Sequence, residues 1–177
     1  MGEIKSTLDL VMEKTKNLSL SDEERLAQKN QEIVSRINGL LQKFKDRVLK
    51  IDNFKTEYQK LQKEFDLSEN DHLIKEIFGQ IELGADNQAL FELLAEFKVS
   101  DVEGLTSILQ EFQTALETAA GQRREILKDQ LAKTHLISGS SVVPNLENDD
   151  EWRKEDGKMR AKYGALLDKE KVKLLAE

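Results

Sequence analysis

Residues 33–65 read IVSRINGLLQKFKDRVLKIDNFKTEYQKLQKEF, and their spacing decides the fold class. Ile37, Phe44, Ile51, Tyr58 and Phe65 recur every seven residues, and Ile33, Leu40, Phe54 and Leu61 complete the stripe three or four positions away. This is a heptad seam, in which apolar residues return to one helix face every two turns. Only Arg47 interrupts the second series, and Gly39 is the one helix-weakening residue between Ser21 and Phe65. The spacing therefore predicts one uninterrupted helix of about 65–70 Å at 1.5 Å per residue.

Working outward, Ser21 and Glu24 have the spacing of a capping box, with the hydroxyl and the carboxylate each taking an orphan amide, so the helix should open at about residue 22. Upstream, Ile4, Leu8, Val11 and Met12 give residues 3–17 the stripe of an amphipathic helix. Downstream the seam breaks near Asp66. Leu73, Ile74, Ile77, Phe78 and Ile81 then mark a short helix over about 70–83, with Gly84 as a left-handed cap. Asp86 can open another, dense in Leu90, Phe91, Leu93, Leu94 and Phe97 and running to about Lys98. Ser100 and Glu103 repeat the capping-box spacing ahead of a second seam through Val102, Leu105, Leu109, Phe112, Leu116, Ala119, Arg123 and Ile126. Past Arg123 the stripe shifts to Leu127 and Leu131, a stutter that locally unwinds a supercoil.

Residues 138–150 combine small, turn-forming and acidic types with Pro144, the composition of a linker. Beyond them Trp152, Met159, Tyr163, Leu166 and Leu167 form a sparse stripe. Gly157 and Gly164 each cost about 1 kcal/mol against Ala in a helix interior, so this last helix should need a surface to dock on.

Composition agrees with helices that bury narrow stripes. Charged residues make up 34% and apolar ones 38%, with a single proline, which points to an all-α chain. The absence of cysteine removes disulfides, zinc–thiolate sites and thiol catalysis. Net charge is −7, and the excess acid lies within residues 67–137. Nucleic acid calls for a basic face, so it is not an expected partner, whereas a basic protein surface is a plausible one. No apolar run approaches the roughly 20 residues of a membrane span, and the N-terminus lacks a signal-peptide core, so a cytoplasmic setting is expected.

Catalytic and metal chemistry finds little support. Glu69 and His72 have the Glu-x-x-His spacing of di-iron bundles, but His135, the other histidine, has Ala132 where a second carboxylate would stand. Neither histidine belongs to a nucleophile motif, and there is no phosphate loop or dinucleotide fingerprint. No cofactor is expected. The N-terminal Gly2 and Ser6 fit a myristoylation pattern formally, with Glu3 unfavourable.

Arg47 and Arg123 each stand at a seam position. If the two seams pair antiparallel, the two guanidiniums fall near one layer. They must then reach water, share an acid such as Glu117, or hold an anion, because an unpaired buried charge is costly. Apolar residues of the short helices, Phe78, Phe91 and Phe97, and of the last helix, Trp152, Met159 and Tyr163, are candidates for partner contact where the core leaves them uncovered.

The opening residues Met1-Gly2-Glu3-Ile4-Lys5-Ser6, continuing to Lys16, resemble the start of a family of small uncharacterised bacterial helical proteins. The resemblance covers the first helix and implies a bacterial cytoplasmic setting, with no activity, cofactor or site residue.

The expected architecture is an elongated antiparallel helical hairpin over 1–137 with a small two-helix head at about 67–100. A linker follows at 138–150, then a C-terminal docking helix over 151–177. The expected function is that of a non-enzymatic coiled-coil scaffold or adaptor, homo-oligomeric with a dimer favoured and carrying an unidentified protein partner. A holdase-like clamp using the apolar head, or a metalloenzyme, are the alternatives.

Overall fold

The computed structural model describes residues 21–99 and 101–176. Among them are six α-helices and no strand: α1 (Asp22–Lys45), α2 (Ile51–Phe65), α3 (Asp71–Gln80), α4 (Gln88–Glu96), α5 (Glu103–His135) and α6 (Asp150–Ala176). A single 3-10 turn, Leu146–Asn148, precedes α6. The chain divides into two units, Met1–His72 and Leu73–Glu177. The amphipathic stripe of residues 3–17 and the opening motif lie outside the described residues, as does Ser100.

In the first unit the capping box forms as expected. The Ser21 hydroxyl accepts the Glu24 amide at 3.2 Å, and the Glu24 carboxylate accepts the Ser21 amide at 2.8 Å. The uninterrupted helix over 22–65 does not form, because α1 ends at Lys45 and α2 begins at Ile51. Arg47 adopts a left-handed backbone with φ 58°. Its amide donates to Phe44 O at 2.9 Å, and the Val48 amide donates to Lys43 O at 3.0 Å. These two bonds are a Schellman closure, which satisfies the last carbonyls of α1 and reverses the chain.

The reversal lets the stripe close on itself. Ile33, Ile37, Leu41 and Phe44 of α1 are buried, as are Phe54, Tyr58, Leu61 and Phe65 of α2. Phe44 meets Phe54 edge-on at 5.6 Å, and Phe54 stacks near Tyr58 at 6.4 Å. A lone rod would leave these aromatic faces in water, at roughly 1.5–3 kcal/mol for each large side chain, so the hairpin wins over the straight helix. At the open end Arg36 bridges Glu64 of α2 at 2.9 Å and lies over the Phe65 ring at 5.2 Å.

In the second unit α3 ends at Gln80 rather than near 83, and Gly84 takes the expected left-handed backbone with φ 75°. The next helix starts at Gln88, behind Asn87. The buried Asn87 carboxamide accepts the Glu82 amide at 3.1 Å and donates to the carbonyls of Glu82 (2.8 Å) and Ala85 (3.2 Å). One side chain thus satisfies the backbone of a turn that has no ladder of its own. Leu90, Leu93 and Leu94 of α4 are buried.

The stripe of α5 is covered by α6, which runs antiparallel to it in the same chain. The segment over 138–150 is only partly a linker. Leu146 is 7% exposed, and the 3-10 turn around it leads directly into α6 at Asp150.

Candidate functional site

The seam of α5 places Leu105 and Phe112 in the core, and the Tyr163 ring of α6 meets Phe112 edge-on at 5.7 Å. The Arg160 guanidinium lies over the Phe112 ring, 5.5 Å from its centroid. Gly84 passes close to both, since a Cβ there would lie 3.7 Å from the Phe112 ring and 3.9 Å from Arg160. The stutter expected near residue 123 appears in the burial: Ile126 is exposed, and Leu127 and Leu131 turn toward the Pro144–Asp149 segment.

At that shift Arg123 is held by a fork rather than left to reach water. Its Nε donates to Asp149 Oδ1 at 2.8 Å and its Nη2 to Asp149 Oδ2 at 2.7 Å, with Glu151 at 2.5 Å from Nη1. Both side chains of the bidentate pair are mostly shielded, at 12% and 14% exposure. Asp149 also caps α6, its Oδ1 accepting the Trp152 amide at 2.7 Å. The guanidinium, then the Trp152 amide, hold the Asp149 carboxyl below the usual carboxylate range, while Asp149, then Glu151, raise Arg123 against its burial. Glu117, the acid expected to compensate Arg123, instead accepts from Gln113 at 2.6 Å. Arg47 leaves the stripe for the turn after α1, where it is exposed and left-handed, so it does not occupy a seam position of its own helix.

At the far end of the pair, Lys171 of α6 donates to the carbonyl of Ile81 at 2.7 Å. Burial lowers its pKa against the opposing influence of Asp168 and Glu82. Gly104 stands opposite Glu170, where a Cβ would come within 2.5 Å of the carboxylate oxygen, so the helices approach closely there.

On its flank α5 borders an open groove of about 600 Å³. Thr114, Ala115, Thr118 and Ala119 form its floor, Glu111 and Gln122 stand along it, and Tyr163 forms one wall. The residues recur at three- and four-residue steps, but their small polar types give no hydrophobic signal in the sequence.

The expected contact residues are divided. Phe78 is 1% exposed and belongs to the core, which corrects its reading as a contact residue. Phe91 is half-buried at the edge of a shallow hollow with Gly84, Asn87 and Leu109, and Phe97 is half-buried at the end of α4. Trp152, Met159 and Tyr163 are half-buried along α6. Glu69 lies ahead of α3 and His72 within its first turn, so the pair does not share a helix. No group of three or more His, Cys, Asp or Glu side chains among the described residues is placed to hold a metal ion. No helix among them is long and apolar enough to cross a membrane. Comparison with protein-family models, with curated proteins and with solved structures gave no match to this chain.

Proposed function

We propose that this chain is a non-enzymatic helical scaffold or adaptor whose α5 groove receives an amphipathic helix of a partner protein. The observation that carries the reading is the incomplete coverage of α5. Only Leu105, Phe112 and Ala120 of its 33 residues are buried, although the helix spans about 50 Å. Ala115, Ala119, Thr114 and Thr118 would let a second helix come near the lower limit of the usual 8–10 Å interaxial distance. Tyr163 offers an aromatic anchor with low side-chain entropy. Glu111 is the one charged residue lining the groove, and the acid excess of residues 67–137 favours a partner helix with basic flanking positions.

A photo-crosslinking residue placed at Thr118, in cells that make the protein natively, tests the reading against the same residue placed at Lys29 of α1. One discrete adduct at Thr118, lost on Ala119→Arg, is expected. No adduct, or the same adducts from Lys29, would refute the groove as the partner surface.

A further inference from the structure

The connection between α5 and α6 differs from the helices it joins. Residues 136–143 are exposed apart from the half-buried Val142. Three large apolar side chains stand in this short stretch without cover: Leu136 at 89% exposure, Val143 at 76% and Ile137 at 49%. Leu136 is also left-handed, with φ 55°, where its amide and that of Ile137 cap the end of α5 by donating to Leu131 O. A side chain branched at Cγ gains nothing from that backbone, which glycine adopts freely.

The helix beyond the connection is lightly held. Of the 27 residues of α6 only Leu167 is buried. Polar contacts fasten its two ends, the Arg123–Asp149–Glu151 fork at the start and Lys171 on the Ile81 carbonyl near the finish.

We infer that two copies of this chain exchange α6 together with the turn that leads into it, each laying its residues 144–176 on the α5 of the other. The surface under α6 is complementary to it by construction, so every contact made within one chain is remade between two. What distinguishes the dimer is the hinge. When residues 136–143 open, Leu136 returns to the right-handed region, and eight extended residues reach about 26 Å, enough to carry α6 across to the second copy. The two hinges then run beside each other, and Leu136, Ile137 and Val143 find the apolar cover they lack in a single copy. Left-handed strain in a hinge, together with apolar side chains that only the open form covers, is the arrangement that favours exchange over closure. Tyr163 of α6 walls the groove and Ala119 belongs to both groove and stripe, so exchange would supply that wall from the second copy and leave the groove in place; an exchanged dimer with an empty groove would separate the two readings, as would a monomer with an occupied one.

The native chain has no cysteine, so a designed pair reports without background. A Cβ at Gly104 lies 3.2 Å from Cγ of Glu170, close to the geometry in which paired cysteines bond. The full-length Gly104→Cys/Glu170→Cys variant is to be oxidised at several concentrations and run on non-reducing gels, alongside light scattering of the unmodified chain. A covalent dimer whose share rises with concentration is expected, and Leu136→Gly, which relieves one left-handed residue in each of the two separated copies, should weaken dimerisation by at least about thirtyfold. A monomeric mass with only intrachain disulfides would overturn exchange. So would a dimeric mass in which every disulfide is intrachain.

Discussion

Substitution at Arg47 separates a hairpin from a rod by the sign of the effect. In the structure Arg47 holds φ 58° at the residue that closes α1, a backbone costing an L-residue roughly 1–2 kcal/mol and glycine almost nothing. Against this, glycine makes the unfolded chain more flexible, at a cost of about 0.4–1 kcal/mol. Arg47→Gly should therefore stabilise the first unit by about 0.5–1 kcal/mol, and Arg47→Ala should be no better than the parent. Were residues 22–65 one helix, position 47 would be interior, and Ala would exceed Gly by about 1 kcal/mol. The Gly-minus-Ala difference thus spans about 2 kcal/mol between the two architectures, a factor of about 30 in the opening constant. Amide hydrogen exchange in peptides covering 33–65 reads that constant locally, whatever the rest of the chain does. Slower exchange in the Gly variant than in the Ala variant is expected. The reverse order would refute the Schellman closure and restore the long helix.

Phe54→Ala removes a fully buried ring that meets both Phe44 and Tyr58, and should destabilise the first unit by about 3–5 kcal/mol, seen as loss of protection over 33–65. Burial, then the Asp71 charge, pushes the Tyr58 hydroxyl up to about 12. A raised pKa gives stability that is complete below the unfolded value of about 10 and lost as pH rises through 12, so the first unit should loosen across that window and Tyr58→Phe should remove most of the slope. Asp149 is the opposite case. Its carboxyl is held low, so its contribution is present above the unfolded value of about 3.9 and lost as pH falls through the folded one. Asp149→Asn should flatten the acid limb of unfolding followed by Trp152 fluorescence; an unchanged limb would mean the fork with Arg123 contributes nothing to holding α6.

Helix content and the apolar stripes were legible because they depend on local periodicity. Ile37, Phe44, Tyr58 and Phe65 are buried, whereas Leu40 and Ile51 of the same expected seam are half-buried and Leu41 enters the core instead, and the Ser21–Glu24 box and Gly84 act as their residue types require. The reversal at residues 46–50 was not legible. The residue that carries it is an arginine in a place where glycine is the usual signal, and the left-handed backbone is imposed by the burial of Phe44 on Phe54 rather than by local preference. Asp149 was hidden for a related reason. An aspartate within an acidic, turn-forming stretch reads as solvated, and its role depends on Arg123, 26 residues earlier in the chain. The groove along α5 was invisible because Thr114, Ala115, Thr118 and Ala119 are neither apolar enough to mark a core nor polar enough to exclude one.

The two stripes share a period and differ in what fills them, and that difference bears on where this chain can open. The α1–α2 stripe is occupied by large residues, four of them aromatic, and the two helices bury eight side chains over a short hairpin. Separating them would expose nearly all of that apolar surface at once, so opening there approaches the cost of unfolding the pair. The α5–α6 stripe has fewer large residues. Leu105, Phe112 and Ala120 of the one and Leu167 of the other are buried, and beyond Phe112 the line passes through Leu116, Ala119 and Ala120 to Arg123. Where the apolar line ends, an ion pair takes over, and an ion pair can be remade with an identical residue on another chain at no chemical difference. Charge and hinge therefore sit at the same end of α6. Disruption of the fork by Asp149→Asn should speed the interconversion of closed and exchanged forms while leaving their ratio nearly unchanged, because the same contact is lost from both. Crosslinking of the Gly104→Cys/Glu170→Cys variant at successive times after mixing measures that rate; a change in the final ratio of the two forms, with no change in rate, would mean the fork acts on the architecture itself and not on its opening.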